Sequence, residues 1–465
     1  MRGQEWVSPL RADIVSLLTL FAVTLWLIPQ QWVLPGGGAI ARPAIVVGLA
    51  LGFVYVAARF VPPLVPPGRN PVAIGLWSYG VVVVVSFGLS FNRDLTATES
   101  AAGQRELVLT AAMVGVGLAA SAGIADRRRL EILLRRLVGL AAIVAVLALL
   151  QFYAGVDLPA RVRFPGLALN GELVRSRPRS GFVRATGTTA HAIELGVVMA
   201  MMLPLALHYA LHGSTPVQRR RHWIAAGLIA ATVPTTISRS GIVALGVALA
   251  VQASVWSLPL LRRMAALAVG GVAVLYALRP TLPGSLLALF RGLESDTSIT
   301  ARTSDYDVAF DFVAQRPWFG RGAGTWGSDN YRLLDNQMLL SLLEIGWVGV
   351  IAITLMYLGG AAVARQIRIA APDDPTRHLG QTLAAMIVAA FTALFFVNGF
   401  FYEIYFGTTV LVIGVAGALW RLMRDQGADA VAVARARERG FLARRLRVDS
   451  GPPWWQRALT AGGRP

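Results

Sequence analysis

Cysteine and lysine are both missing from the 465 residues. The first absence excludes disulfides, thiolate metal ligands, iron–sulfur centres and cysteine nucleophiles. The second excludes Walker-type phosphate loops and Schiff-base chemistry, and makes all 43 basic residues arginine. Charge is scarce as well, at 15% of residues against roughly 25% in an ordinary soluble domain. Apolar residues fill the space: 55% of the chain is hydrophobic, with a mean hydropathy of +0.59. Length alone would suggest about three soluble domains, but apolar residues in blocks of about 20 argue for one polytopic helical bundle. A net charge of +18 would point to nucleic acid in a soluble chain. Here the arginines sort by side of a bilayer, and no nucleic-acid partner is expected.

The apolar blocks fall at 14–34, 43–62, 72–91, 106–125, 137–155, 192–211, 223–238, 241–256, 264–279, 337–358, 380–399 and 403–421. They predict an all-α integral membrane protein with about twelve transmembrane helices and a large extracytoplasmic loop containing short helices. The first block has no evident cleavage site and reads as a retained helix. Counting 223–238 and 241–256 as two crossings, not one broken segment, puts Arg127-Arg128-Arg129, Arg135-Arg136, Arg219-Arg220-Arg221, Arg262-Arg263, Arg365 with Arg368, and the tail from Arg421 on one side. The positive-inside rule makes that side cytoplasmic. Residues 1–425 then form the transmembrane domain, with loops 156–191 and 280–336 outside. Residues 426–465 form a basic cytoplasmic tail suited to anionic lipid.

Loop 156–191 breaks the charge rule. It holds Arg161, Arg163, Arg175, Arg177, Arg179 and Arg184 against only Asp157 and Glu172. Long translocated loops escape that rule, but a concentrated positive surface also suits an anion, and a guanidinium fork fits phosphate. For a lipid-embedded protein the natural ligand is a lipid phosphate or diphosphate. Arg184 opens Arg184-Ala-Thr186-Gly187-Thr188-Thr189-Ala-His191 at the mouth of a span. Arg239 lies in Thr236-Ile-Ser238-Arg239-Ser240-Gly241 between two short spans. Facing lipid, it would cost of order 3 kcal/mol, so it faces protein or water. Arg302 precedes an amphipathic stretch from Tyr306 to Phe312, with Asp305, Asp307 and Asp311 close enough for ion pairs.

The second outside loop carries Arg316-Pro317-Trp318-Phe319-Gly320-Arg321-Gly322-Ala323-Gly324-Thr325-Trp326. Its glycines admit close backbone approach, and its indoles suit sugar rings and membrane interfaces alike. The chain returns to the membrane through Leu334-Asp335-Asn336-Gln337. Asp335 suits a helix N-cap, and an acid among arginines at that mouth also suits proton acceptance from a hydroxyl. Glu344, about 13 Å further along the helix, calls for an arginine partner; Glu194 and Glu403 are similarly placed, as acids that organise an arginine. Of the five histidines only His191 falls outside, while His208, His212, His222 and His378 fall toward the cytoplasm. No two have metal-site spacing, and no protein-ligated catalytic metal is expected.

These residues resemble the O-antigen ligase and O-antigen polymerase superfamily, integral membrane glycosyltransferases that use lipid-carrier substrates. The likeness covers nearly all of 10–425. It rests on Arg184-Ala-Thr-Gly-Thr-Thr, Ser238-Arg239-Ser-Gly, Arg302 followed by Pro317-Trp-Phe-Gly320-Arg-Gly322, and Asp335-Asn336 with Gly346 and Gly349 downstream. One departure stands out: family ligases carry His-Asn or a close variant where this chain has Asp335-Asn336.

The resemblance implies a multi-pass protein of the bacterial cytoplasmic (inner) membrane with its active site on the extracytoplasmic face. Its substrates would be a polyprenyl-diphosphate-linked oligosaccharide and an acceptor glycan, its surroundings membrane lipids and polysaccharide-assembly proteins, and it would need no cofactor or metal. Asp335, Arg184, Arg239 and Arg302 would be catalytic, with Arg179, His191, Trp318, Arg321, Trp326 and Asn336 binding substrate. Polymerisation of surface polysaccharide repeat units, with inversion, is the favoured activity. The alternatives are ligation onto a lipid, cell-wall or protein acceptor, transport of an anionic lipid or solute, and a structural scaffold.

Overall fold

The computed structural model describes residues 13–61, 70–171, 178–179, 181–291, 309–327, 331 and 334–448, and for 178–179 and 426–448 the backbone alone. The helices are α1 (Ile14–Leu27), α2 (Pro43–Arg59), α3 (Pro71–Ser90), α4 (Ala97–Gly123), α5 (Arg127–Ala154), α6 (Ala192–His212) and α7 (Pro216–Thr235). They continue with α8 (Arg239–Ala253), α9 (Leu258–Leu278), α10 (Thr281–Ala288), α11 (Gln337–Ala370), α12 (Asp374–Ala393) and α13 (Glu403–Val448). Residues 309–315 are also helical. Two short antiparallel strand pairs, Trp32–Val33 with Ala168–Leu169 and Pro178–Arg179 with Phe182–Val183, tie down loop 156–191. The chain divides into two compact units, residues 1–420 and 421–465.

Seven described helices, not about twelve, are long and apolar enough to cross a membrane: α3, α4, α5, α6, α9, α11 and the part of α13 up to Asp425. The expected count fails for physical reasons. The blocks at 14–34, 43–62 and 241–256 yield helices of only 14, 17 and 15 residues, short of the roughly 20 that span hydrocarbon. The block at 223–238 belongs to α7, which opens on Gln218-Arg219-Arg220-Arg221-His222, and that at 380–399 to α12, which opens on Asp374-Pro-Thr-Arg377-His378. Their polar first turns leave too short an apolar remainder. Seven such helices nonetheless make a multi-pass membrane protein.

Local sequence sets the helix starts. Asp13, Asn70, Asp126, Thr215, Ser238, Asn336 and Asp373 each accept a backbone N–H as N-cap, and Thr96 with Glu99 forms a reciprocal capping box, which satisfies donors that a helix start leaves open. Packing is close where glycines meet. A Cβ on Gly241 of α8 would lie 3.0 Å from the Gly196 Cα of α6, so only glycine lets these two backbones approach.

The hydrogen bonds sort the helix termini into two ends. At one end lie the starts of α6, α8, α11 and α13 and the finishes of α5, α7 and α12, joined through Gln151, Arg184, Glu194, Thr236 and Gln337. At the other, the finish of α6 meets the start of α12 and the finish of α8 through His208, His378 and Gln252.

Candidate active site

Segment 184–191 is a buried turn, and its threonines serve the backbone. Gln151 of α5 accepts the N–H groups of Thr186 (2.8 Å) and Gly187 (3.0 Å) on one oxygen. The Thr188 hydroxyl donates to the Trp26 carbonyl at 2.6 Å and Thr189 to the Thr186 carbonyl at 2.7 Å. Arg184 is thereby presented at 7% exposure, its Nε donating to the Thr236 carbonyl at 2.7 Å. The Thr236-Ile237-Ser238 link is strained. Ile237 has φ 46°, the sole described non-glycine residue with positive φ, a region that a β-branched side chain enters at a cost of order 1–2 kcal/mol. Arg239 follows at the first turn of α8, half-buried. Arg184 and Arg239 therefore flank one strained link, an arrangement often found at functional sites.

Among the described residues Glu194 ties backbone together and pairs with no arginine. Its carboxylate accepts from Ala190 N–H (2.9 Å), Ile404 N–H (3.0 Å) and Tyr405 N–H (3.3 Å), joining the starts of α6 and α13. Glu403 does have an arginine, Arg42, which precedes α2 and which sequence reasoning missed. His191 caps α6, its Nδ1 accepting from Ile193 N–H at 3.2 Å, and its ring stacks on Tyr402 with centroids 6.2 Å apart. Tyr402 was also missed. Burial pushes its phenol well above the usual range, Glu194 and Asp335 add to the rise, and Arg184 opposes it. All three charges thus lie within electrostatic reach of one phenol. Asp335 is exposed, and the cap of α11 is its neighbour Asn336, whose side chain accepts from Leu339 N–H at 3.1 Å.

The glycine-rich loop docks on a break in α11. Gly346 has φ 66° and ψ −168°, which frees peptide groups that a straight helix would use internally. The loop takes them up: Arg321 and Gly322 N–H donate to the Leu343 and Glu344 carbonyls at 2.9 Å, and Trp347 and Val348 N–H donate to the Pro317 and Trp318 carbonyls at 2.9 and 3.1 Å. The Ser86 hydroxyl of α3 lies 2.8 Å from the carbonyls of both Phe319 and Glu344. Glu344 accepts from Trp326 N–H at 3.0 Å, so a backbone amide occupies the place expected for an arginine.

Arg321 and Trp326 belong to a packed cluster. Arg321 donates to the Tyr331 hydroxyl at 2.6 Å, lies 3.9 Å from Glu99 and sits over the Phe312 ring at 4.8 Å. Trp326 stacks on Tyr331 with centroids 4.4 Å apart. Trp318, by contrast, is 66% exposed, an open indole face. The Arg179 side chain and the whole of Arg302 lie outside the described residues. The structure thus brings Arg184, His191, Glu194, Asp335 and Tyr402 together through shared partners, with Arg239 across the Ile237 link. Arg321, Trp326 and Glu344 form a second group around the break in α11.

Residues 224–354 match the family model described as O-antigen ligase. The match runs from α7 into α11 and so takes in Arg239, the glycine-rich loop, Asp335 and Gly346, while Arg184, His191 and Glu403 fall outside it. No curated protein matches the chain.

Three histidines also converge at the other end of the bundle: His208 and His212 of α6 with His378 of α12. The reading that no two histidines have metal-site spacing is corrected here: His208 and His212 stand i, i+4 within α6 and so share one face. The third arrives only through helix packing.

Proposed function

We propose that the Arg184 end of the bundle faces the extracytoplasmic side of a bacterial inner membrane and transfers glycan from a polyprenyl diphosphate to a hydroxyl of an acceptor sugar, extending a surface polysaccharide. The observation that carries this reading is a buried arginine, Arg184, held by the Thr236 carbonyl within electrostatic reach of Tyr402, together with Asp335 and the His191 ring stacked on that phenol, at one end of a multi-pass bundle. The partial match to O-antigen ligases supports the reaction class. Cytoplasmic orientation of the opposite end is supported by Arg127-Arg128-Arg129, Arg219-Arg220-Arg221, Arg365 and Arg368, which lie at or near the helix ends there, following the positive-inside rule.

In this reaction the bond from the anomeric carbon to the diphosphate oxygen breaks and a bond from that carbon to the acceptor oxygen forms on the opposite face, inverting configuration. The leaving polyprenyl diphosphate takes the electron pair, and Arg184 and Arg239 stabilise the charge that grows on it. The hydroxyl proton passes to Asp335, which takes the place of the family's histidine. Tyr402, kept a neutral phenol by burial, hydrogen-bonds to substrate. Trp318 offers its exposed indole to a sugar ring. His191, Asn336, Arg321 and Trp326 act mainly by holding loops in place, and the acids Glu194, Glu403 and Glu344 by fixing helix starts and the α11 break. Arg302 and Arg179 remain candidates for the same diphosphate. Polysaccharide-assembly proteins are the expected partners.

The test is purified protein with a defined glycan–polyprenyl diphosphate, scored for product size. A ladder of longer glycans that falls by about 10² to 10³-fold in Arg184→Ala and Arg239→Ala is the expected result. The description of the matched family favours a second reading, ligation onto a different acceptor. Turnover that appears only when a lipid-core or protein acceptor is added would establish that instead. Intact lipid binding with no turnover on any acceptor would overturn both in favour of transport.

A further inference from the structure

At the end of the bundle away from Arg184, three imidazoles point their nitrogens at one another. The ligating nitrogens of His208, His212 and His378 all lie within 4.8 Å of one another, and the Nδ1 atoms of His208 and His378 are 2.9 Å apart. The rings are mutually packed, with centroid separations of 5.4, 5.2 and 4.6 Å. His208 is 2% exposed and His378 9%, whereas His212 is half-buried and so open to entry from one side.

Gln252 of α8 stands behind His378, its amide 3.1 Å from Nε2 and 3.3 Å from the Thr382 hydroxyl. The residue is 0% exposed and its Oε1 has no hydrogen-bond partner. Amide oxygen and nitrogen are assigned from the network, and turning the amide gives Oε1 the Nε2–H of His378 as donor. That tautomer leaves the His378 Nδ1 lone pair aimed into the cluster. A hydrogen bond that fixes the outer ring nitrogen is the usual support for a ligating histidine.

We propose that His208, His212 and His378 form a binding site for a first-row transition-metal ion of the Zn²⁺ type, joining α6 to α12 and separate from the glycan site. Neutral imidazoles bind borderline ions such as Zn²⁺, Ni²⁺ and Cu²⁺ and discriminate against Mg²⁺ and Ca²⁺, which need oxygen. Arg127, Arg135 and Arg368 lie within electrostatic reach of His208 and His378, and Asp374 within reach of His212. The site therefore depends on imidazole lone pairs and not on attraction by surrounding charge. Zn–N bonds of about 2.0–2.1 Å in a tetrahedron need nitrogens about 3.4 Å apart, so metal binding moves the His208 and His378 Nδ1 atoms apart from 2.9 Å while the half-buried His212 turns its nitrogen in toward them. A water completes the fourth position. His208 lies about 24 Å along α6 from Ala192 at 1.5 Å per residue, so the ion takes no part in the transfer chemistry and pins the helices at the far end.

The test uses the full chain purified in detergent through a tag without histidine, stripped of metal and equilibrated with Zn²⁺. One Zn²⁺ per chain is expected by elemental analysis, with a rise in the thermal unfolding midpoint. Co²⁺ is expected to substitute and give the visible absorption of a four-coordinate site. His212→Gln, at the half-buried position where folding tolerates change, removes both the ion and the shift, while His191→Gln keeps them. Gln252→Ala weakens binding about 10- to 100-fold. Unchanged Zn²⁺ content in both His212→Gln and His378→Gln, or no Zn²⁺ bound by the folded wild-type protein, would overturn the site and leave a hydrogen-bonded ring stack.

Discussion

Ile237 concentrates two opposing effects in one residue. Its left-handed backbone costs of order 1–2 kcal/mol, yet its side chain is fully buried, and emptying such a site costs about 2–5 kcal/mol. Burial wins. Ile237→Gly relieves the backbone and still lowers stability, by about 2 kcal/mol, which thermal unfolding in detergent reads directly; a rise in the midpoint would show that strain dominates. Glu194 offers a second contrast. Glu194→Gln keeps one carbonyl oxygen for the amides of α13 or for Ala190, whereas Glu194→Ala strands three buried N–H groups at about 1–3 kcal/mol each. The alanine variant is therefore expected to unfold at the lower temperature, and equal losses in the two would argue against backbone capping as its role.

The break in α11 is an element built from two distant segments. A Cβ at Gly346 would lie 2.3 Å from the Trp318 carbonyl oxygen, and one at Gly320 would lie 2.4 Å from the Glu344 backbone. Both contacts are with backbone, which cannot swing aside, and both positions have positive φ. Gly346→Ala and Gly320→Ala are expected to cost several kcal/mol and to sharply reduce the yield of folded protein. Gly359→Ala, in open space on the same helix, serves as the control, with a gain of roughly 0.5–1 kcal/mol from helix propensity. Asp13 sets a pH limit for a different element. Burial pushes its carboxyl up, but hydrogen bonds from Arg129 and Ser16 outweigh this and hold it below the usual range. A depressed folded-state value means stability present above the unfolded pKa of about 3.9 and lost as pH falls through the lower folded value. Wild-type protein thus loses the α1–α5 tie below about pH 4, a loss that Asp13→Asn lacks because the tie is already weakened at neutral pH.

Across the whole molecule the two ends are expected to act independently. Sites more than about 10 Å apart without shared partners usually have additive effects, and the histidine cluster and Arg239 sit at opposite ends of α8. Arg239→Ala should lower transfer by about 10² to 10³-fold and keep Zn²⁺, His212→Gln should lose Zn²⁺ and keep transfer, and the double variant should show both. Loss of transfer in His212→Gln protein with a normal unfolding profile would reveal coupling between the ends. Arg42 holds the molecule together from α2 to α13. Arg42→Ala leaves the Glu403 carboxylate buried without its partner, at about 3–5 kcal/mol, and the expected readout is a large drop in melting temperature with no selective effect on substrate binding.

Composition and apolar blocks made the membrane class and most helix positions legible, because transfer free energy is a property of each residue and sums along the chain. The cap read from sequence, Asp335, was out by one residue, because Asn336 accepts the Leu339 N–H and the two side chains suit the role equally well. Arg184, Arg239 and Asp335 stood out because charge at a membrane mouth is costly wherever it packs. The number of spanning helices was not legible, since an apolar block does not say where its helix starts and stops: α1 and α8 are helical over only 14 and 15 residues. Pairings across the sequence were equally hidden. Arg42 meets Glu403, Tyr402 meets His191, His378 meets His208, and Pro317–Gly322 fills the gap at Gly346, each through packing of elements far apart in the chain. The sequence alone determined which residues cannot face lipid; the tertiary structure decided which partner satisfies each of them, because burial leaves a polar group no choice but the neighbour that the fold supplies.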